Sequence, residues 1–310
     1  MFPIIPANSA TAASGNDEGI FGYGQTASNV SMTNLVSNAG VVASDVAGVG
    51  SVRRQLAACE YGGDKGIFGF GCIDGPPHPN VLSMTNLVSN TGVVASDVTG
   101  VGTARYHPSA CSYGGDKGIF GFGRAASYVY TAATNLVSNA GVVASDQAAA
   151  TGTGRKDSAA CEYGGDKGIF GYGNTSGALS MTNLVSNAGV VSSDVTGVGT
   201  ARGYLAACGY GGDKGIFGFG DIGQEPHATA VTNLVSNAGV VASDQATVTG
   251  TARTGPAATQ YGQDKGIFGY GNDGSDTAVT NLVSNTGVVA SDQAATTGTA
   301  RNYLAACSFN

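Results

Sequence analysis

The chain alternates short apolar runs with turns rich in Gly, Asn and Asp, and glycines and β-branched residues interrupt every window long enough for a helix. Within the clearest runs one residue in two is apolar, which is the period of a strand with one buried face. This period places Phe68 and Phe70 on one face and Ile67 on the other. The stretch predicts an antiparallel meander of four strands, over residues 56–61, 66–71, 84–89 and 93–97.

One unit of about 50 residues recurs six times and fills nearly the whole chain. Its first marker, Gly-Ile-Phe-Gly-(Phe/Tyr)-Gly, begins at Gly19, Gly66, Gly118, Gly168, Gly215 and Gly266. Its second marker, Thr-Asn-Leu-Val-Ser-Asn, begins at Thr33, Thr85, Thr134, Thr182, Thr232 and Thr280. Because no linker separates the units, we predict a single domain over residues 15–310, preceded by a leader over residues 1–14.

The repeated meander predicts an all-β fold, a six-bladed β-propeller of four-stranded antiparallel blades. Radial stacking packs the aromatic face of one blade on the glycine-rich face of the next and leaves only short edges. An open stack of sheets is the alternative, but it needs polar capping repeats that this sequence lacks. A clean copy of the first strand, from Leu304 to Phe309, is expected to close the ring beside the segment from Ile20 to Gly24. A weaker copy from Ala10 to Ser14 competes for the same place.

The unit also resembles known repeats. The segment from Arg105 to Gly123 resembles a kelch repeat in its Arg, its small-residue strand, its turn and its strand ending in Gly, although the kelch Trp is missing. The repeat sequence is also similar to tandem repeats in structural or tail-fibre-like proteins of aquatic tailed phages. The similar residues are Tyr-Gly-Gly-Asp-Lys-Gly-Ile-Phe-Gly-Tyr-Gly, followed by Thr-Asn-Leu-Val-Ser-Asn-x-Gly-Val-Val-Ala-Ser-Asp. That resemblance covers about 300 residues and implies a virion protein.

Composition narrows the classes of partner. Charged residues are 11% of the chain and the net charge is −7, which argues against a nucleic-acid partner because phosphate binding needs clustered Lys and Arg. No apolar run reaches ~18 residues, so we expect no membrane insertion. The first residues have neither a basic region nor a long apolar core, so they do not predict a signal peptide.

The cysteines are predicted to be free, buried thiols. Bridging requires Cα atoms within ~7 Å, whereas equivalent positions on stacked sheets lie ~10 Å apart. Free thiols suggest folding in a reducing cytoplasm. One strand position holds five of the six cysteines, with Thr259 there in the remaining unit and Cys72 in a loop: Cys59, Cys111, Cys161, Cys208 and Cys307.

An Asp and an Arg recur in every unit, and we assign both to the scaffold as ion pairs or turn caps. Residues present in all units belong to the blade rather than to a single site. They are Asp45, Arg53, Asp97, Arg105, Asp146, Arg155, Asp194, Arg202, Asp244, Arg253, Asp292 and Arg301.

Motifs for catalysis, cofactors or metals are weak. The recurring Gly-x-x-Gly-x-Gly is not followed by a helix, as a phosphate-binding loop requires. The three histidines lie in unrelated loops, and zinc sites need clustered ligands. We therefore predict a non-enzymatic protein without a cofactor or metal.

The residues that differ between units lie in two loop sets, one after the Gly-Ile-Phe-Gly strand and one after the recurring Arg. Loops carry binding residues on a rigid scaffold, and tyrosines stack on sugars or contact protein partners. Drift in unconstrained loops is the alternative explanation. The candidate binding residues are His78, Tyr106, His107, Tyr128, Tyr130, Tyr204, His227 and Tyr303.

The expected function is that of a structural or binding propeller in a tailed-phage particle, acting in decoration, as a fibre or in adhesion to the host surface. Its partners would be other virion or surface proteins, contacted through the apolar segment from Met1 to Pro6, and host-surface glycans. Such a protein is made in the host cytoplasm and resides in the virion. The alternatives are a bacterial kelch-like module that binds protein or glycan, at the cell surface or in the cytoplasm, and a glycan-active propeller enzyme.

Overall fold

The computed structural model of the protein describes residues 17–74, 80–147, 152–225, 227–245, 249–294 and 298–309. Within these ranges the fold is almost entirely β-structure, which confirms the all-β prediction, and a single 3-10 turn over Ala126–Tyr128 is the only helical element there. None of the described residues forms a helix long and apolar enough to cross a membrane. The leader over residues 1–14, with the strand copy from Ala10 to Ser14, falls outside the described ranges.

Six three-stranded antiparallel sheets, one for each repeat unit, make up the structure, and each has its Gly-Ile-Phe-Gly strand in the middle. In chain order of that central strand, the sheets are β22 (Ala305–Phe309), β1 (Glu18–Gly22) and β2 (Thr33–Val36); β3 (Ala57–Tyr61), β4 (Lys65–Gly69) and β7 (Thr85–Val88); β9 (Ser109–Tyr113), β10 (Lys117–Gly121) and β12 (Thr134–Val137); β13 (Ala159–Tyr163), β14 (Lys167–Asn174) and β15 (Ala178–Val185); β16 (Ala206–Tyr210), β17 (Lys214–Gly218) and β18 (Thr232–Val235); and β19 (Ala257–Tyr261), β20 (Lys265–Gly269) and β21 (Thr280–Val283). Two short ladders pair β5 (Cys72–Ile73) with β6 (Asn80–Val81), and β8 (Arg105–Tyr106) with β11 (Arg124–Ala125).

Each sheet has three strands, so the predicted fourth strand is wrong. In the second sheet the segment after β7 makes only isolated bridges, Val88 with Val94 and Thr85 with Val98. The side chain of Asn86 reaches across, and its Nδ2 donates to Ala95 O at 3.0 Å and to Asp97 Oδ1 at 2.9 Å. The Asn86 side chain thus occupies a backbone carbonyl that would accept a ladder hydrogen bond in a regular strand pair.

The C-terminal strand belongs to the first sheet. β22 pairs with β1 from Glu18 opposite Phe309 to Gly22 opposite Ala305. This confirms the pairing predicted for the C-terminal strand copy, and it joins the two ends of the described chain in one sheet.

Aromatic rings of one sheet pack on glycines of its neighbour, as predicted. A Cβ at Gly218 would lie 2.8 Å from the Phe268 ring of the following unit, and the same contact recurs in every unit. The face assignment of the second aromatic residue was wrong. Phe68 packs with residues of the first sheet, whereas Phe70 packs against Phe120 of the third. The reason is that Phe70 has a left-handed φ of 64°, which breaks the strand alternation.

The first strands of the six sheets contact one another in cyclic order, β22 to β3, β9, β13, β16, β19 and back to β22. None of the sheets described closes on itself by hydrogen bonding. We call the ends of the sheets with the turns between first and central strands the hairpin face, because residues such as Tyr61 and Lys65 pair there. The opposite ends, where Ala57 pairs with Gly69, form the loop face.

The recurring arginines are buried between neighbouring units. Arg202 Nε donates to Phe219 O at 2.9 Å, its Nη2 donates to Asn233 Oδ1 at 2.8 Å, and its guanidinium lies 4.3 Å from the centre of the Tyr172 ring in the preceding unit. Each of the six recurring arginines stacks in this way on the aromatic residue of the preceding unit.

The recurring aspartates also connect units. Asp244 accepts hydrogen bonds from the backbone N and the Oγ1 of Thr200, which belongs to the connection from the preceding unit. The same contact links the last unit to the first, where Asp45 accepts from Thr299, 254 positions away. These ties therefore follow the cyclic order of the sheets.

All six cysteines are buried and free. Five lie in the first strands, and Thr259 occupies the same place in β19. Burial raises the pKa of the Cys208 thiol to about 12, so this group stays protonated and apolar at neutral pH.

Candidate functional site

Six equivalent residues converge where the sheets meet on the loop face. Each lies two positions after a recurring Arg, and together with the residue that follows each of them they line a cavity of about 70 Å³. This central cluster consists of Gln55, His107, Asp157, Tyr204, Gly255 and Tyr303.

A sharp backbone turn orients the central cluster. All six residues have φ between 52° and 60°, the left-handed region, although only one is Gly. Such a conformation costs a non-Gly residue about 1–2 kcal/mol. Backbone bonds between neighbouring units support it: His107 N donates to Gln55 O at 2.8 Å, and Gln55 N donates to Tyr303 O at 2.9 Å, which links the first and last connections.

Three aromatic rings fill the middle of the central cluster. His107, Tyr204 and Tyr303 lie with ring centroids 5.4, 5.8 and 5.7 Å apart in the three pairs. They occupy alternate positions of the cluster, separated by the smaller residues. A Cβ at Gly255 would lie 3.1 Å from the Tyr303 ring, so a larger residue there would require that ring to shift by a few tenths of an ångström.

A buried ionic network lies beside these rings. His107 Nδ1 is 2.7 Å from Asp157 Oδ1, and Lys156 Nζ is 2.7 Å from Asp157 Oδ2 and 2.9 Å from Tyr204 Oη. Burial lowers the pKa of His107 and favours its neutral ring, while the neighbouring Asp157 carboxylate opposes this shift. Burial alone would raise the pKa of Asp157, but contact with His107 and Lys156 lowers it. Burial raises the pKa of Tyr204 to about 12, so its hydroxyl stays protonated.

The aromatic residues continue outward from the centre over the third unit. The Tyr106 ring centroid is 5.1 Å from that of His107, and Arg124 pairs with Tyr106 across the β8–β11 ladder. The Arg124 guanidinium lies 4.4 Å from the Tyr128 ring centre and 5.1 Å from that of Tyr130. We call this continuous set the aromatic track: Tyr303, Tyr204, His107, Tyr106, Arg124, Tyr128 and Tyr130.

The outer end of the track projects from the surface. Tyr128 is 47% exposed and Val129 is 57% exposed. Ser127 and Tyr128 both have left-handed φ, 57° and 63°. Two consecutive non-Gly residues in this region mark local strain, which is often kept at binding sites.

The structure brings together six of the eight predicted binding residues. Tyr106, His107, Tyr128, Tyr130, Tyr204 and Tyr303 all lie on the aromatic track. His227 lies apart, 3.1 Å from Glu225 and 3.6 Å from Asp221. His78 falls outside the described residues.

The sequence-based choice missed the polar partners of these rings. Asp157, Lys156 and Gln55 follow the recurring Arg, and Arg124 opens the loop that holds Tyr128. Their variation between units is a signal in the sequence that could have identified them. The sequence does not show that they meet, because this depends on how close the six connections between units lie in space. Across the part of the chain described, no group of three or more His, Cys, Asp or Glu side chains could hold a metal ion.

No protein-family model matches the sequence, and no curated protein matches it significantly.

Proposed function

We propose that this chain is a non-enzymatic binding protein, built as a six-bladed β-propeller, that engages its ligand on the loop face through the aromatic track. Two contacts support the ring: the cyclic order of the first strands and the pairing of β22 with β1. Radial stacking of small antiparallel sheets is the arrangement in which such contacts arise.

The main support for the proposed function is that residue variation between units differs between the two faces. The hairpin turns read Gly-Gly-Asp-Lys in four units, whereas the six positions of the central cluster hold five residue types. Positions assigned to the scaffold, such as the recurring Arg and Asp, hold the same residue in every unit. Variation at a convergent, partly buried position is typical of a binding site on a repeat fold.

The proposed location in a phage particle is based on the amino-acid sequence of the repeats. Its similarity to tail-fibre-like proteins of aquatic tailed phages supports a virion component that displays the loop face to the host surface. Mass spectrometry of purified particles from a phage that encodes this chain should detect it, and particles that lack it would contradict the assignment.

Binding of the labelled full chain to a panel of aquatic bacteria tests the function. Tyr128 is exposed, so Tyr128→Ala should preserve the fold and weaken cell binding about tenfold, as loss of an aromatic anchor does. Lys214→Ala on the hairpin face is the control and should bind as the parent does. Equal binding by both variants would contradict the proposal, as would absence of binding across the panel.

A further inference from the structure

The cations of this chain fall into three groups by position. The sequence has 14 Lys and Arg residues. Six are the recurring buried arginines, and five are lysines in hairpin turns, each paired with the preceding Asp. The remaining three are specific to single units: Arg54, Arg124 and Lys156.

All three unit-specific cations lie along the aromatic track, each near a tyrosine ring. Arg54 is 5.9 Å from the centre of the Tyr303 ring, and Lys156 Nζ is 4.9 Å from that of Tyr204. Arg124 lies near the rings of both Tyr128 and Tyr130. In a protein of net charge −7, the loop face thus concentrates its positive charge on one line of aromatic residues.

Arg124 differs from the other two in its charge balance. Arg54 pairs with Asp74 at 2.5 Å, and Lys156 pairs with Asp157 at 2.7 Å. For Arg124 the structure gives no ion pair with any described carboxylate; its Nε donates to the backbone carbonyl of Tyr128 at 3.1 Å. A guanidinium held between rings and left without a counterion favours an incoming carboxylate or sulfate, which it can bind through two parallel hydrogen bonds.

We infer, on the basis of the binding function proposed above, that the ligand is an acidic oligosaccharide lying along the aromatic track. Tyrosine rings and hydroxyls suit the apolar faces and hydroxyl groups of sugar rings. The Tyr106 ring is buried between the central cluster and the exposed outer end, so the track offers two separate contact areas, which fits several linked sugars better than one. Its outer end at Arg124 binds the acidic group, and the central cluster, whose charges are internally paired, binds neutral sugar groups.

An array of acidic oligosaccharides tests this inference, with each uronate printed beside its methyl ester and each sulfated glycan beside its desulfated form. The parent should bind at least one acidic glycan about tenfold more tightly than its neutral match, the gain expected of one charge-assisted pair. Arg124→Gln should lower the affinity for the acidic glycan to that for its neutral match. Lys214→Gln, which removes a charge from the hairpin face, should leave the preference intact.

The outcomes separate this inference from the binding function itself. Equal binding of acidic and neutral forms, or a preference that persists in Arg124→Gln, overturns the ligand class. Cell binding that depends on Tyr128 but is lost after protease treatment of the cells also overturns it, in favour of a protein partner, while the loop-face function stands. Melting temperatures of Arg124→Gln within the error of the parent would exclude a folding defect as the cause.

Discussion

At the scale of single residues, the buried arginines are the most informative feature. Each fills the space between two units with a guanidinium that stacks on one ring. All but Arg105 also donate from Nε to a backbone carbonyl of the next unit. Burial lowers the pKa of Arg105, Arg155 and Arg253 to about 10, so all three remain charged at neutral pH. A buried charge is tolerated only with such partners, which makes these positions sensitive to truncation.

Replacing Arg202 by Ala should therefore lower the free energy of unfolding by about 3–5 kcal/mol, because it leaves a cavity and unpaired acceptors. Urea denaturation followed by circular dichroism measures the change. Lys214→Ala removes an exposed pair with Asp213 and should cost less than about 1 kcal/mol. Similar losses in the two variants would show that the arginine does not join the units.

Repetition in the sequence identified the scaffold residues but not their partners. It separated Asp244 and Arg202 from the binding residues because both recur in every unit. It did not indicate that each Asp contacts the connection from the preceding unit, since that contact depends on the stacking of sheets. The period-2 rule failed at Phe70 because a left-handed residue directly follows the strand.

At the scale of elements, glycines set the spacing between sheets. A Cβ at Gly215 would lie 2.5 Å from Cys161 Sγ of the preceding unit, closer than two such atoms can approach. The first strand of one sheet thus rests directly on the backbone of the next central strand. This contact explains why small residues fill the first strands.

Gly215→Ala should cost about 1–3 kcal/mol through overpacking. The double variant with Cys161→Ala should recover part of this loss, because the shorter side chain makes room for the added methyl group. A double-mutant cycle of unfolding free energies measures the coupling. Gly177→Ala is the matched control, since a Cβ there meets nothing within 4 Å, and additive single effects would contradict direct packing.

Of the four strands predicted for each unit, the structure contains three. The apolar periodicity of the fourth run suggested a ladder, but the Asn side chain of the third strand bonds to its backbone and breaks the pairing. A polar side chain in a strand pattern carries no sequence signal for this role, because its bond partner lies nine residues away.

At the scale of the whole molecule, the ties between units predict sensitivity to acid. Burial alone would raise the pKa of Asp194, but hydrogen bonds from Thr153 and Asn183 outweigh it and lower the pKa below the ordinary 3.8; the other five recurring aspartates behave alike. A carboxyl with a depressed folded-state pKa stabilises the fold above its ordinary pKa, and this stability is lost as pH falls through the folded value.

The melting temperature should therefore be nearly constant from pH 7 to about 5 and fall steeply below about pH 4. Differential scanning calorimetry at a series of pH values measures the profile. Asp194→Asn should have a lower melting temperature at pH 7, and its melting temperature should fall less on acidification, because it lacks one of the titrating carboxylates that connect the units. A melting temperature that rises on acidification would contradict the role of these carboxylates.

The sequence predicted many residues of the candidate site, but it did not predict how they are arranged in space. Variation between units selected Tyr106, His107, Tyr204 and Tyr303, which the structure places in contact. The alternation of large and small residues around the centre, with Gly255 leaving room for Tyr303, appears only when six distant connections are placed side by side. The ionic partners were not predicted, because Lys156 and Asp157 act on residues about 50 positions away in neighbouring units.

The central claim is that the first and last units join in one sheet, so that the repeats form a ring. Hydrogen–deuterium exchange of the full chain, read on peptides that contain β1 and β22, tests it most directly. The pairing from Glu18 with Phe309 to Gly22 with Ala305 predicts that amides of both strands exchange as slowly as those of β13 and β14. A β22 peptide that exchanges completely at the earliest time point, while β13 and β14 stay protected, would contradict closure.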